Sequence, residues 1–339
     1  MMLIEDLGVI LSTTDNEFEK RAVLNPACIA EGGITHMFYR AIDQNNISTI
    51  GRCQIKNNKV ILRDNRPLIF PEHNFERCGV EDPRIVYLEG IYYLFYTAYD
   101  GRDASAAYAV SSDLRNFEKR GLIFPAILYK DAGKIFKKAG LPEKYEWYAK
   151  RYEKEKGQEV SLWEKDVFLL PEKIEGNFFL IHRIMPGIQA ISFRNFSDLT
   201  EKSWKDYLAN MAKFVILNPK YKFENRRVGG GSPPIKTKHG WLLIFHAIEE
   251  TSSGKIYHAA ATLLDLKNPL HVIARLPFPL FSPKERDEKE GLVRNVVFPT
   301  GCVLEKNNLF IYYGAADSRI KAKKINIIEL INELLKYKI

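Results

Sequence analysis

The chain has 339 residues, 46% of them hydrophobic and 12% aromatic, with 50 Lys+Arg against 42 Asp+Glu and a formal net charge of +8. This is enough apolar material for a sizeable core, which excludes a disordered chain, and no run of about 18 apolar residues offers a membrane-spanning helix. The charge alone does not separate a nucleic-acid partner, an anionic substrate and a lysine-rich surface.

The N-terminal segment MMLIEDLGVILSTTDNEFEK carries acids where a secretory signal needs a basic start and a longer apolar stretch. Cys28, Cys53, Cys78 and Cys302 show no CxxC spacing, so neither a zinc site nor a disulfide framework is expected. A reduced, cytoplasmic protein follows as the expectation.

Five segments share one order: a proline, a few strand-like residues, a turn, then an aromatic or β-branched strand. Along the chain they are NPACIAEGGITHMFYR from Asn25, EDPRIVYLEGIYYLFYTAYD from Glu81, LPEKIEGNFFLIHR from Leu170, SPPIKTKHGWLLIFHA from Ser232 and FPTGCVLEKNNLFIYYGAAD from Phe298. Each reads as a β-hairpin, with Gly33, Gly90, Gly176, Gly240 and Asn308 in the turns. Shorter strands lie between them, at Lys59–Leu62, Ala106–Val110, Lys213–Leu217, Ala259–Leu264 and Leu270–Ala274. A hairpin with two further strands makes a four-stranded sheet. Five such sheets predict an all-β fold, a five-bladed β-propeller forming a single domain over residues 1–339. A β-sandwich or two unrelated β domains would use similar strands; the repeated order of proline, turn and aromatic strand favours the propeller.

Two stretches fall outside the repeat. Residues 128–157, with nine Lys+Arg and five Asp+Glu, predict a helical insertion. It reads as a solvated surface excursion, with a lid or an oligomer contact as the alternative. Ile325, Ile328, Ile331 and Leu335 form an apolar stripe that predicts a C-terminal helix over about 325–337.

Matching positions of a radial repeat converge on one axis. The ends of the second strands carry Arg40, Thr97, Arg183, His246 and Tyr313, and the antiparallel starts of the first strands carry Asn25, Asp82, Leu170, Pro233 and Phe298. Asp43 and Asp317 lie just beyond their strands. One channel mouth thus gathers carboxylates, arginines and a histidine. The chemistry suggested is acid catalysis beside an anion or polyol site, the acid's pKa raised by enclosure. An Asp before a proline also holds a turn, and a lone strand histidine is equally a hydrogen-bonded core residue.

Other site classes fit less well. Gly229–Gly231 is followed by no Lys-Ser/Thr pair and opens no helix, so it reads as close backbone passage and not as a phosphate loop. There is no GxSxG and no HExxH. The seven histidines are dispersed singly, which speaks against a metal centre. The one dense basic stretch is interleaved with glutamates, which speaks against nucleic acid.

The strings GVEDPRIVYLEGIYYLFYTAYDG, VGGGSPPIKTKHGWLLIFHAIEE and VVFPTGCVLEKNNLFIYYGAADS resemble glycoside hydrolase family 130, the mannoside phosphorylases and related β-1,2-mannosidases. FYRAID around Arg40 and KDVFLLPEKIEGNFFLIHR around Arg183 are similar to two further signatures of that family. The resemblance implies a five-bladed propeller and inverting phosphorolysis of a β-mannoside to α-mannose 1-phosphate and a shorter acceptor. It places the general acid at Asp82, its proton relayed through the 3-hydroxyl of the mannose being cleaved. It places phosphate ligands at Lys165, Arg183, Arg227 and His246, and mannose contacts at Asn25, Arg40, Asp43 and Asp317. The implied partners are a β-mannoside and inorganic phosphate as co-substrate, with no other cofactor, no metal, no nucleic acid and no membrane; a homo-oligomer is left open. Where some members carry an extra arginine after the FYRAID segment, this chain reads QNNIS at 44–48. That leaves one phosphate contact open, and with it the hydrolytic branch, for which Glu249 and Glu250 are candidate water-activating carboxylates. Retention of the basic ligands favours the phosphorylase.

Overall fold

Alternation of apolar and polar residues, punctuated by Gly and Asn turns, yields antiparallel hairpins throughout the computed structural model, which describes residues 2–339. In chain order the strands and helices are β1 (Ile4–Leu11), β2 (Ala22–Glu31), β3 (Ile34–Ile42), β4 (Ser48–Lys56), β5 (Lys59–Arg63), β6 (Gly79–Leu88), β7 (Ile91–Tyr99), β8 (Ala104–Ser111), β9 (Glu118–Leu122), α1 (Tyr129–Lys138) and α2 (Glu143–Lys156). There follow β10 (Lys165–Leu169), β11 (Phe178–Arg183), β12 (Ile188–Phe193), α3 (Glu201–Ala209), β13 (Val215–Leu217), β14 (Arg227–Gly230), β15 (Ile235–Thr237), β16 (Gly240–Thr251), β17 (Gly254–Leu264) and β18 (Val272–Arg275). The last are α4 (Arg286–Lys289), β19 (Val297–Glu305), β20 (Asn308–Ala315), β21 (Arg319–Asn326) and α5 (Ile327–Leu334).

The strands form five antiparallel units: β2-β3-β4-β5, β6-β7-β8-β9, β10-β11-β12-β13, β14/β15-β16-β17-β18, and β19-β20-β21-β1. The first two are continuous only through one parallel pair, Ser48 with Gly79. The fifth is completed by the N-terminal strand, β1 lying antiparallel on β21. Strand accounts for 47% of the residues and helix for 18%, so the fold is mostly β, with the expected helical insertion and C-terminal helix.

One buried glutamate stands at the entrance to each unit. Glu19, Glu76, Glu164, Glu224 and Glu288 are all fully buried. Four of them are the third residue of a short helical turn. A buried carboxylate is costly unless it is hydrogen-bonded, and each of these four is. Glu19 accepts from the Tyr39 hydroxyl (2.7 Å), Glu76 from Tyr96 (3.1 Å) and Glu288 from Tyr313 (2.6 Å). In the fourth unit, where Phe245 replaces the tyrosine, Arg275 donates to Glu224 instead (2.7 Å). Glu164 faces His182 Nδ1 at 3.0 Å. The phenols sit on the second strand of each unit, so each glutamate ties the entering chain to its sheet.

Three expectations need correction. The insertion over 128–157 is no solvated excursion: Tyr129, Phe136, Tyr145, Tyr148 and Tyr152 are buried in the same apolar cluster as Trp204, Leu180 and Phe178. Its lysines and glutamates occupy only the outer faces of α1 and α2. The C-terminal helix spans Ile327–Leu334 because β21 runs through Asn326, whose side chain caps the helix by accepting from the Ile328 and Glu329 amides; Ile325 belongs to the strand. The third hairpin begins at Lys165 and not at Leu170, because residues 171–177 form its turn.

Glu76 also accepts from the Lys119 ammonium at 2.5 Å. Replacing Glu76 with Ala strands the buried Tyr96 phenol and leaves Lys119 only Glu72 and the Phe70 carbonyl, so a loss of about 1–3 kcal/mol is expected. It is read from the midpoint of chemical denaturation with an unchanged slope.

Candidate active site

The first strand of three units is interrupted in a related way. In β2, β6 and β10 the pairing slips by a residue, between Leu24 and Ala27, Glu81 and Arg84, and Lys165 and Phe168. The bulged residues Asn25, Asp82 and Asp166 have φ of 48°, 51° and 58°. Asn and Asp tolerate this left-handed region better than other side-chain-bearing residues. A bulge re-aims its side chain, and here it turns a polar group toward the neighbouring units.

Register identifies the true equivalents. Arg40, Arg183 and His246 lie opposite Leu24, Lys165 and Gly229. In the fifth unit Gly314, not Tyr313, holds that place, opposite Phe298. Tyr313 points back to Glu288. A Cβ on Gly314 would fall 2.5 Å from Asn25 Oδ1, so glycine leaves room for the asparagine. Leu170 and Pro233 are not equivalent to Asp82; Asp166 and Gly230 are.

Two linked clusters result. In the first, Asn25 Nδ2 donates to Asp82 Oδ1 at 2.7 Å and Arg40 Nη1 donates to the same oxygen at 3.3 Å. Arg40 Nη2 also reaches Glu81 Oε1 at 2.7 Å, and Lys165 Nζ reaches Glu81 Oε2 at 3.2 Å. In the second, Arg183 Nε donates to Asp166 Oδ2 at 2.5 Å, with His246 Nε2 3.8 Å from that oxygen. Arg84, fully buried, joins the two: Nη2 lies 3.7 Å from Asp166 Oδ1, and Nη1 donates to the Asp82 carbonyl at 3.2 Å. Arg84 Nε donates to the Gly231 carbonyl. The triple glycine permits this approach, since a Cβ on Gly229 would lie 2.5 Å from Asp166 Oδ2 and 2.4 Å from His246 Cε1. Close passage of the backbone, expected for Gly229–Gly231, is what the geometry shows.

Of the remaining predicted residues, Arg227 stands on the far side of the second cluster, its Nη1 3.1 Å from Met185 Sδ. Asp317 is half-buried near Arg40. Asp43 is tied into the turn after β3, where Oδ1 accepts from the Asn45 and Ile47 amides. Glu250 is ion-paired with Arg226, and Glu249 Oε2 lies 3.4 Å from the imidazole of His258. Sequence reasoning passed over Glu81, Arg84 and Asp166. The signal for Asp166 was present: Lys165-Asp166 stands to its strand as Glu81-Asp82 does, displaced from the proline that served as the anchor.

The carboxyls differ in protonation. Burial raises Asp82, but the Arg40 guanidinium, Lys165 and the Asn25 hydrogen bond outweigh it and hold the carboxyl well below its ordinary value. A raised acid at Asp82 is therefore not what the free site contains. Asp317 behaves oppositely: burial pushes it up to about 6, against Arg40 and reinforced by Asp82 and Glu81. Burial lowers His246 to about 3, Arg183 and Arg227 adding to the effect while Asp166 opposes it. At neutral pH His246 is an uncharged imidazole, a hydrogen-bonding group and not a cation.

The comparisons agree with one another. Residues 9–336 match a family described as β-1,4-mannooligosaccharide phosphorylase. The 1,2-β-oligomannan phosphorylase of Thermoanaerobacter sp. (strain X514) is 34% identical over 327 residues, covering 94% of each chain. The β-1,2-mannobiose phosphorylase of the same strain is 33% identical over 327 residues, covering 90% of each. Among solved structures, the β-1,2-mannobiose phosphorylase of Listeria innocua in complex with β-1,2-mannobiose superposes with a TM-score of 0.73 at 22% identity, covering 98% of this chain and 99% of that one. The chain is thus an enzyme of glycoside chemistry. The chain belongs to glycoside hydrolase family 130, the mannoside phosphorylase family.

Asp317 offers a check on these electrostatics. With its pKa raised, the native state binds this proton more tightly than the unfolded chain. Its contribution to stability is therefore present below the ordinary carboxyl pKa of 3.8 and is lost as pH rises through about 6. Asp317→Asn, neutral throughout, is expected to raise Tm by about 2–4 °C at pH 8 and hardly at pH 4. Differential scanning calorimetry across pH measures this; a difference independent of pH would contradict it.

Proposed function

We infer that this protein is a β-mannoside phosphorylase that cleaves a β-mannoside with inorganic phosphate, releasing mannose 1-phosphate and a shorter acceptor. The observation that supports this reading is the linkage of two charged clusters, Lys165 and Arg40 on Glu81 beside Asp82 and Arg183 on Asp166, joined by Arg84. Phosphate is already an anionic nucleophile, so it needs positioning charge more than a base. Glu249 and Glu250, the candidate water activators of a hydrolase, are engaged by His258 and Arg226.

Asn25, Arg40, Asp43 and Asp317 hold the mannose in this reading, and Lys165, Arg183, Arg227 and His246 hold phosphate. Phosphate oxygen forms a bond to the anomeric carbon from the face opposite the leaving sugar. The glycosidic C–O bond breaks, and the leaving oxygen takes the 3-hydroxyl proton as Asp82 supplies one to that hydroxyl. Asp82 must then be protonated, although Arg40 and Lys165 keep it ionised in the free site. Phosphate itself answers this. An anion drawn to Lys165 offsets the cationic field that depresses the carboxyl, and the covering sugar removes water, so both substrates raise Asp82 together.

The five antiparallel units, the fifth closed by β1, support a five-bladed propeller in a single domain. The relatives at 33–34% identity act on β-1,2-linked mannosides, which favours that linkage here. The four free cysteines agree with a cytoplasmic location, and no helix of the described residues is long and apolar enough to cross a membrane.

The deciding assay supplies β-1,2- and β-1,4-mannobiose with and without phosphate. Mannose 1-phosphate is expected only with phosphate, and faster from the β-1,2 linkage. Asp82→Asn is expected to lower kcat by about 10²–10⁴-fold with KM for phosphate little changed. Equal sugar release without phosphate would instead establish a mannosidase.

A further inference from the structure

The helical hairpin of α1 and α2 buries four tyrosines, Tyr129, Tyr145, Tyr148 and Tyr152. Two donate their hydroxyl hydrogens inside the protein, and Tyr129 accepts there from backbone. Tyr129 accepts from the Trp163 amide (3.0 Å), Tyr145 donates to Asn218 Oδ1 (2.9 Å) and Tyr148 donates to the Arg226 carbonyl (2.8 Å). Tyr152 is different. Its hydroxyl has Arg227 Nη1, at 3.5 Å, as its one hydrogen-bond partner among the described residues. A guanidinium only donates, so the phenol oxygen accepts and its own hydrogen is left over. Stacking on Tyr129 (5.5 Å) and edge contact with Trp163 (5.6 Å) fix the ring.

We propose that Tyr152 is a phosphate ligand delivered by the helical hairpin, its free hydroxyl hydrogen completing the donor set of Arg183 and Arg227. The proposal rests on the phosphorylase reading of the site. The phenol's electrostatics agree: burial pushes it up, yet the Arg227 and Arg183 guanidiniums bring it below its ordinary value, which makes it a better donor to an anion. An apolar wall would have left Arg227 without an oxygen to donate to, and a carboxylate would have cancelled the charge that attracts phosphate. A tyrosine does neither.

Tyr152→Phe removes one oxygen and keeps the stacking ring. In initial-rate assays with β-1,2-mannobiose, KM for phosphate is expected to rise about ten-fold, with KM for the mannobiose within about two-fold of wild type and Tm unchanged. Tyr148→Phe, which loses a bond to backbone, is the control: it should lower Tm and leave the phosphate KM alone. An unchanged phosphate KM in Tyr152→Phe, in an enzyme still dependent on phosphate, overturns this proposal and spares the phosphorylase reading. So does an equal rise in Tyr148→Phe, which would mark general loosening of the hairpin. Turnover by wild type without phosphate overturns both.

Discussion

The site depends on one backbone device, the left-handed bulge in the innermost strands. Asn25, Asp82 and Asp166 hold φ near 50° inside β-strands, a conformation that costs on the order of 1–3 kcal/mol for each residue with a side chain. In a regular strand, side chains alternate between the faces of their own sheet and do not converge across units. The bulge breaks that alternation once, at the end where the units meet. The hydrogen bond from Asn25 to Asp82 and the ion pair of Arg183 with Asp166 offset the strain and depend on it. The buried glutamates hold the chain just upstream. In three units the glutamate precedes the innermost-strand position by the same interval, Glu19 before Asn25, Glu76 before Asp82 and Glu224 before Gly230. The strained residue is thereby fixed from one side by a turn and from the other by its sheet.

The same convergence creates an electrostatic conflict that the residue order resolves. Acids and cations alternate, from Asp82 and Glu81 through Arg40 and Lys165 to Asp166, Arg84 and Arg183. Each buried charge has an opposite neighbour, without which it would be prohibitively costly. The arrangement is balanced for the empty site and is shifted by an anion. In the proposed reaction, adding phosphate to the cations leaves the carboxylates with too little positive charge, and a proton is the smallest adjustment available. Coupling of this kind needs no moving part.

Much of this was legible in the sequence, and the misses have physical causes. The hairpins could be read because alternation and turn residues are local signals, and Asn25, Asp82, Arg40, Arg183 and His246 could be placed because strand ends are local too. Asp166 was missed because the repeat was anchored on proline, which follows the bulge in β2 and β6 but is replaced there by Val167 in β10. Tyr313 was placed one residue off because the slip in β19 shifts its pairing with β20, and a one-residue slip reverses the face a side chain uses. Protonation was not legible at all. Asp82 and Asp317 are both half-buried aspartates near Arg40, and the added Lys165, Asn25 and Arg84 separate one held low from one raised to about 6.

The helical hairpin shows why composition misled most where the chain is most charged. The lysines and glutamates of residues 128–157 describe the outer faces of α1 and α2, while the inner faces carry tyrosines that close the apolar cluster beside the site. This division has a chemical consequence at Arg227. Arg40 and Arg183 are each committed to carboxylates, so an arriving anion must compete for them. Arg227 is satisfied by a phenol oxygen and a thioether instead, partners that reduce the cost of burying the guanidinium without neutralising it. A half-buried cation of this kind is free to take a ligand from outside. By setting the Tyr152 hydroxyl there, the insertion keeps one full positive charge uncommitted, as the proposed phosphate site requires.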